Sequence, residues 1–329
     1  MSELALWRRR WYAGAGRQHR LRRPVISIGN LSHGGRGKTP VVSLLARWLV
    51  EAGERPAILT RGYARSRPED GVVVVSDGRH LLADVERGGD EPLMLARDAP
   101  GACVVVSEQR ALAGALAERA LGATVHLLDD GFQHLQLARD LDVVIVTRED
   151  LADRPVPFGR LREPVAALAA ADAVLMDGDA APEGPDIPLQ AGAGTAAPVR
   201  FALRREIGDP LPLEPERSWS APDRRVVAVA GIARPQRFVE SLRAAGWIVA
   251  EALTFGDHHR YTTSDLAAIA TAANREGAPV VTTAKDAARL LRLRPLPVPF
   301  AFVQLAISVD PPRFREWVFE RLAERRAGR

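Results

Sequence analysis

The stretch from Val25 to Trp48, VISIGNLSHGGRGKTPVVSLLARW, places a glycine-rich segment directly before Lys38 and Thr39. A segment of this kind, set between a buried strand and a helix, turns backbone N–H groups inward onto phosphate oxygens. The helix start adds the positive end of its dipole. Ser32, His33, Gly34, Gly35, Arg36, Gly37, Lys38 and Thr39 are therefore candidates for holding the phosphates of ATP. Lys38 is placed to reach the terminal phosphates, and Thr39 offers a hydroxyl to Mg2+. Ser32 stands where the general G-x-x-x-x-G-K-[ST] pattern has its first glycine; Gly34, Gly35 and Gly37 still supply the backbone freedom. Composition singles out the same residue. Of 45 basic residues only Lys38 and Lys285 are lysines, so a site that keeps lysine points to a need for a compact ammonium on a flexible stem.

Three further groups carry candidate chemistry. The apolar run Val125–Leu128 ends in Asp129 and Asp130. An acid closing such a strand is the usual partner of a phosphate loop, holding Mg2+ directly or through water. The plainer reading is an acid that caps the next turn. Adjacent strand residues point to opposite sides, so one of the two is expected to face the metal. Asp90, in Gly89-Asp90-Glu91-Pro92, either caps a helix or acts as a base on an acceptor hydroxyl. In Phe255 to Tyr261, FGDHHRY, the histidines are either polar loop groups or half of an Asp–His pair that tunes a base.

These residues need a scaffold. From Pro24 onward, short β-branched runs alternate with helical segments: Val25–Ile28, Ala57–Leu59, Val72–Val75, Cys103–Val106, Val143–Val146 and Ala173–Met176. Their continuous apolar character suits buried parallel strands. The pattern predicts an α/β fold, a P-loop NTPase-like doubly wound, mostly parallel sheet, with a second, smaller α/β domain. The Pro-, Gly- and Ala-rich composition after Asp177 suggests a hinge. We assign 24–205 to a kinase-type domain, 206–222 to a linker, and 223–329 to a smaller domain contributing to the active-site cleft. Residues 1–23 carry seven arginines against the single acid Glu3, mixed with Leu4, Trp7 and Trp11. They read as a basic, amphipathic arm for an anionic membrane surface. One cysteine, Cys103, excludes a disulfide framework and a Cys/His metal cluster. No apolar run reaches the roughly 18 residues of a membrane span, and no secretory signal is expected.

Together the motifs resemble the tetraacyldisaccharide 4'-kinases of the lipid A pathway. The matching stretches are ISIGNLSHGGRGKTP, LTRGYAR, GGDEPLMLA, LLDDGFQHLQLARDLDVVIV, GRLREP, VAGIARPQRF, FGDHHRYT and VTTAKDAARL, from Ile26 to Leu290. Ser32 belongs to that shared pattern. The resemblance implies ATP and Mg2+, with transfer of the γ-phosphoryl to the 4'-hydroxyl of a tetraacylated glucosamine disaccharide 1-phosphate. It implies phosphate and metal contacts at Lys38 and Thr39, metal-side acids at Asp129 and Asp130, and nucleotide neighbours at Gln133 and His134. Asp90 is implied as the base, His258 as its partner, and Arg162, rather than Arg160, as the arginine that neutralises phosphate charge. The family's TEKD stretch reads TAKD here, leaving Lys285 and Asp286 as structural or peripheral residues. The expected setting is peripheral, at the cytoplasmic face of a Gram-negative inner membrane, with the lipid A precursor as partner and no obligate protein partner. The rival is a P-loop switch or partitioning ATPase with no small-molecule acceptor. A nucleic-acid partner is not expected, because aromatic and basic residues do not interleave beyond the arm.

Overall fold

The computed structural model describes residues 2–14, 16–33, 37–62, 71–177, 197–257, 259–310 and 312–328. The chain forms two compact units, one of Met1–Arg204 with Ile307–Arg329, the other of Arg205–Ala306. In the first unit the strands are β1 (Val25–Asn30), β2 (Pro56–Thr60), β3 (Val73–Asp77), β4 (Cys103–Val106), β5 (Val125–Asp129), β6 (Leu141–Thr147), β7 (Ala173–Asp177) and β8 (Val199–Ile207). Its helices are α1 (Ser2–Ala13), α2 (Lys38–Glu51), α3 (Val85–Gly88), α4 (Asp90–Asp98), α5 (Arg110–Ala120) and α6 (Arg148–Ala152). The second unit adds β9 (Leu211–Pro212), β10 (Arg225–Ala230), α7 (Pro235–Ala244), β11 (Ile248–Thr254), α8 (Thr263–Glu276), β12 (Val280–Thr283), α9 (Ala284–Leu290) and β13 (Phe300–Val303). The chain then returns to the first unit through β14 (Leu305–Val309) and α10 (Arg313–Ala327).

The first unit's nine-stranded sheet has the order β14-β8-β7-β6-β1-β5-β2-β4-β3. The pairs from β8 to β4 are parallel, the edge strand β3 runs antiparallel to its neighbour β4, and at the other edge the Gly208–Gln304 and Asp310–Ala202 bonds set β14 antiparallel to β8. Both faces are covered. Ile26 and Ile28 pack with Val41, Leu45 and Leu49 of α2, while Val25 and Leu128 pack with Ala113 and Ala117 of α5. Successive strand residues serve opposite layers, which is why the strands read as unbroken apolar runs. The strand order reverses around β1, with β5 on one side and β6 on the other. In such sheets the crevice beyond the carboxyl ends at the reversal point is where ligands bind. The ends of β1 and β5, Asn30 and Asp129, lie at that point.

The second unit has a five-stranded sheet, β11-β10-β12-β13-β9. Its first four strands are parallel and β9 is antiparallel to β13. Two core clusters cover it, one built on Val227, Ile269 and Leu290, the other on Val226, Phe238 and Leu242.

The boundaries differ from the sequence reading. Residues 206–222 are not a free linker, because β9 joins the second sheet and Leu213 and Glu214 are buried in that unit. The C-terminal helix α10 leaves the smaller unit. Phe314, Trp317, Val318 and Leu322 are buried in the first unit's core, with Phe314 stacked on Trp317 and both against Phe201 of β8. An apolar stripe buries where a complementary face is free, and sequence separation does not decide which face that is. Helix α1 is likewise not detached, since Leu6 packs on the cluster of Leu31, Phe132 and Leu161. Among the described residues no helix is long and apolar enough to cross a membrane.

Candidate active site

Asn30, fully buried at the end of β1, organises the site. Its side-chain oxygen accepts a hydrogen bond from Lys38 Nζ at 3.0 Å and another from the Arg162 guanidinium. Its amide nitrogen donates to the Ser32 carbonyl at 2.9 Å, and its own carbonyl accepts from Gln133 Nε2 at 3.0 Å. One amide thus holds the glycine loop, the lysine, the arginine and the segment after β5. Nothing in its residue type marked it beforehand. The available signal was a polar residue ending an otherwise apolar buried strand, where a lone amide must find partners.

Lys38 is the first residue of α2, and Gly37 before it adopts the left-handed conformation, φ 73°. No side chain caps this helix and its first turn has no acid. The N–H groups at its start are therefore left for an anion. Thr39 and Pro40 follow in the same turn. Ser32 is buried and bridges to Leu161, and the His33 N–H donates to the Arg160 carbonyl at 2.8 Å. Gly34, Gly35 and Arg36 lie outside the described residues.

Asp130 follows β5 in the left-handed region at φ 54°, costly for a residue with a Cβ. That turn brings its carboxylate against two cations. Arg162 donates to both oxygens, at 2.8 and 2.9 Å, in a two-pronged pair, and Lys38 Nζ is 3.3 Å away. Burial opposes ionisation, but the Arg162 hydrogen bonds and the Lys38 charge outweigh it and hold the Asp130 carboxyl down at about 2. Asp129 behaves in the opposite way. Burial pushes its carboxyl up to about 6, against the pull of Lys38, with the charges of Asp130 and Glu91 adding to the rise. Its Oδ2 accepts from Thr60 Oγ1 at 3.4 Å, and its Oδ1 is buried with no hydrogen-bond partner. The two carboxylates face the same lysine but differ in occupancy: Asp130 is saturated, and Asp129 keeps an open oxygen.

The loop carrying Arg162 is fixed alongside the glycine loop. Arg162 N–H donates to the Leu31 carbonyl at 2.6 Å, next to the Ser32–Leu161 bridge. Arg160 turns away, pairing with Asp153 at 2.9 Å and Glu149 at 3.6 Å on the surface. Of the two arginines, it is Arg162 that meets Asn30 and Asp130. On the other side, a side chain at Gly29 would collide with Phe132, so this glycine lets the DDGF turn cross close over β1. Gln133 Oε1 and Arg162 Nε are also buried without partners. Burial, then the charges of Arg110, Arg139 and Arg61, bring the His134 imidazole down to about 4, so it is neutral at pH 7.

Asp90 opens α4, but the cap is Gly89 (φ 92°) and no side-chain cap bond forms, so the capping reading of Asp90 does not hold. Asp90 is exposed, and the charge of its neighbour Glu91 contributes to the rise of the Asp129 carboxyl. His258 lies outside the described residues. Its neighbour His259 pairs through Nε2 with the Asp265 carboxylate, which accepts at 3.0 Å, and stacks on Phe255.

The site can take Mg2+ on its own terms. Asp129 offers a buried, unpartnered carboxylate oxygen, and Thr39 a hydroxyl in the first turn of α2. Among the described residues no three His, Cys, Asp or Glu side chains gather into a metal cage. A sparse oxygen set suits Mg2+, which keeps waters and takes substrate phosphates as ligands.

The chain is similar to known proteins along most of its length. Residues 2–323 match the model of the family described as LpxK, tetraacyldisaccharide-1-P 4'-kinase. The tetraacyldisaccharide 4'-kinase of Rhodopseudomonas palustris (strain BisB18) is 42% identical over 324 residues, covering 93% of this chain and 88% of that protein. That of Syntrophus aciditrophicus (strain SB) is 38% identical over 321 residues, covering 91% and 84%. A crystal structure of LpxK from Aquifex aeolicus in complex with ATP is similar at a TM-score of 0.72 and 30% identity, over 98% of this chain and 95% of that one.

Proposed function

The chain belongs to the tetraacyldisaccharide-1-P 4'-kinase family, and from that premise we propose how its own residues carry the reaction. The protein transfers the γ-phosphoryl group of ATP to the 4'-hydroxyl of a tetraacylated glucosamine disaccharide 1-phosphate in lipid A biosynthesis. The observation that carries the residue assignment is the convergence of Asn30, Lys38, Asp130 and Arg162 at the uncapped start of α2.

Phosphoryl transfer asks chiefly for positioning and charge neutralisation. Lys38 and Arg162 supply positive charge to the phosphates, and the N–H groups of α2 and the segment from Ser32 to Gly37 cradle them. Asp130 holds the two cations in register before ATP arrives, so little reorganisation is left for the reaction. Arg162 keeps its buried Nε, and Lys38 its remaining donors, for phosphate oxygens. Asp129 and Thr39 would hold Mg2+, together with the neighbouring Asp130, and the ion would supply positive charge to the phosphates. Gln133 and the neutral His134 border the nucleotide. Asp90 takes the proton of the 4'-hydroxyl, and His258 keeps the partner role that the resemblance implies.

Helix α1 presents Leu4, Trp7 and Trp11 to solvent at spacings of three and four residues, beside exposed Arg8 and Arg10. We place the protein peripherally at the cytoplasmic face of the inner membrane, with this face on anionic headgroups. Sedimentation with anionic vesicles tests that placement, and a Trp7→Ala, Trp11→Ala protein that sediments equally well defeats it.

The decisive assay supplies [γ-32P]ATP and the tetraacyldisaccharide 1-phosphate and looks for labelled lipid. ATP hydrolysis with no labelled lipid restores the switch-ATPase rival. In the same assay His258→Ala lowers turnover with ATP binding intact; unchanged turnover removes His258.

A further inference from the structure

Arg9 of α1 makes a set of contacts that no role above accounts for. Its Nε donates to Glu163 Oε2 at 2.6 Å and its Nη2 donates to the Phe132 carbonyl at 2.8 Å. Its guanidinium lies 3.7 Å over the Phe132 ring. The pair is enclosed, with side-chain exposures of 9% for Arg9 and 3% for Glu163. Arg8 beside it donates to the Gln133 carbonyl at 3.0 Å, and Leu6 seats the same face on Leu31, Phe132 and Leu161.

The two segments that Arg9 joins are those that deliver the Asp130–Arg162 pair. Glu163 is the residue after Arg162, and Phe132 stands two residues after Asp130. One planar fork thus fixes the separation of the two backbones whose side chains meet at 2.8 and 2.9 Å. A buried ion pair is a weak source of stability, because desolvating both charges costs about what their attraction returns. Apolar residues of equal volume would fill the space as well. What the fork adds is direction, since two donors in one plane set both a distance and an angle.

We propose that Arg9 is a positioning residue for phosphoryl transfer, holding the Arg162 loop against the Asp130 turn so that Arg162 meets the transferring phosphate in register. The proposal rests on the reading that Arg162 neutralises phosphate charge.

The test is a kinetic double-mutant cycle on the full-length chain with ATP and the lipid acceptor. Arg9→Met should lower kcat per folded molecule about 10- to 100-fold, the size of a misplacement near 1 Å, with KM for ATP little changed; it also lowers the melting temperature, because Glu163 is left buried without its partner. Arg9→Lys, a single point charge, should fall between Met and wild type. In an Arg162→Ala background the Met substitution should cost no more than about twofold further, because the group it positions is gone. Turnover of Arg9→Met near wild type, or a loss that multiplies in full with that of Arg162→Ala, overturns the proposal. Near-normal turnover of Arg162→Ala by itself instead overturns the reading of Arg162, and this proposal with it. Should Arg9→Met fail to fold, Glu163→Gln, which keeps the shape and removes the charge, is put through the same cycle and judged by the same outcomes.

Discussion

Asp130 in the first unit and Asp286 in the second each meet an arginine, at 2.8 Å from Arg162 and 3.0 Å from Arg289. Asp286 is fully buried, and its oxygens accept from the Gly231 N–H at 3.0 Å, from Thr283 Oγ1 at 2.8 Å and from Arg289. Arg289 also donates to the Gly231 carbonyl at 3.0 Å, so the turn after β10 is bound from both sides. A side chain at Gly231 would come within 3.1 Å of both the Asp286 oxygen and the Tyr261 hydroxyl. Burial, followed by the nearby Asp286 charge, drives the Tyr261 phenol up, so it stays protonated. By contrast, the Asp130 side chain is 40% exposed on a strained backbone, and the open polar atoms of Asp129, Arg162 and Gln133 lie in its surroundings. The Asp286 carboxylate has both oxygens answered within the protein, as a carboxylate that serves the fold does, although the Tyr261 hydroxyl beside it is buried without a partner. Strain together with several unanswered groups marks a cluster kept for a ligand.

The largest expected effect separates the clusters by what they lose. Asp286→Ala leaves Arg289 facing a buried gap, and breaking such a pair costs about 3–5 kcal/mol of stability. Urea unfolding followed by circular dichroism measures it. Lys38→Ala should leave that stability near wild type and lower kcat by about 10²–10³-fold, the worth of one donor aimed at developing charge. Initial-rate kinetics with labelled ATP provide the check. A stable Asp286→Ala, or a Lys38→Ala that unfolds while retaining turnover per folded molecule, would erase the distinction.

That contrast also accounts for what could be read from the sequence. The strands and the helix starting at Lys38 were legible because their signals are local: apolar runs, a 3.6-residue period, glycines before Lys-Thr. Lys38, Asp129 and Asp130 were nameable because their motifs are fixed in type and spacing, and Arg162 only through the family resemblance. Asn30, Thr60, Glu91 and Arg9 were not, since each acts through contacts with segments distant in the chain or carries no motif of its own. Arg9 meets Glu163, 154 residues away. The departure of α10 from the smaller domain was hidden for the same reason. Asp286 was left open between structural and peripheral; four mutually satisfied hydrogen-bonding groups make it structural.

An intermediate effect divides the two acids within the first cluster. Asp129 has a folded-state value near 6, above its ordinary value, so the folded chain holds more protons than the unfolded chain between about pH 4 and 6. Stability contributed there falls as pH rises through that window. Asp130, held near 2, runs the other way: its contribution is present above about pH 4 and is lost as pH falls toward 2. Asp129→Asn should therefore raise stability at pH 7 by on the order of 2–3 kcal/mol in the absence of Mg2+ and ATP. It should also flatten the profile between pH 4 and 6, as read by thermal melts across that range. The same variant should lose turnover, and the low-pH arm of the wild-type kcat profile should move down when Mg2+ is raised. If Asp129→Asn is destabilised at pH 7, the open oxygen is not a strained, ligand-seeking group, and the comparison loses its first member.

The smallest effect is expected at Arg160, and it sharpens what makes Arg162 different. Both lie on one loop, two residues apart, and both carry the same guanidinium. Arg160 is half exposed, with partners Asp153 and Glu149 at the surface, where solvent and salt screen the attraction. What Arg160 gives the site is its backbone carbonyl, which accepts from the His33 N–H at 2.8 Å. Alanine keeps that carbonyl. Arg160→Ala should thus hold kcat within about twofold of wild type, as surface substitutions do, and leave the melting temperature unchanged. Arg162→Ala in parallel should lose turnover and release Asp130 from its two-pronged pair. Equal losses in the two variants would mean that the loop supplies diffuse positive charge. A loss confined to Arg162 ties the chemistry to the one guanidinium that shares Asn30 with Lys38.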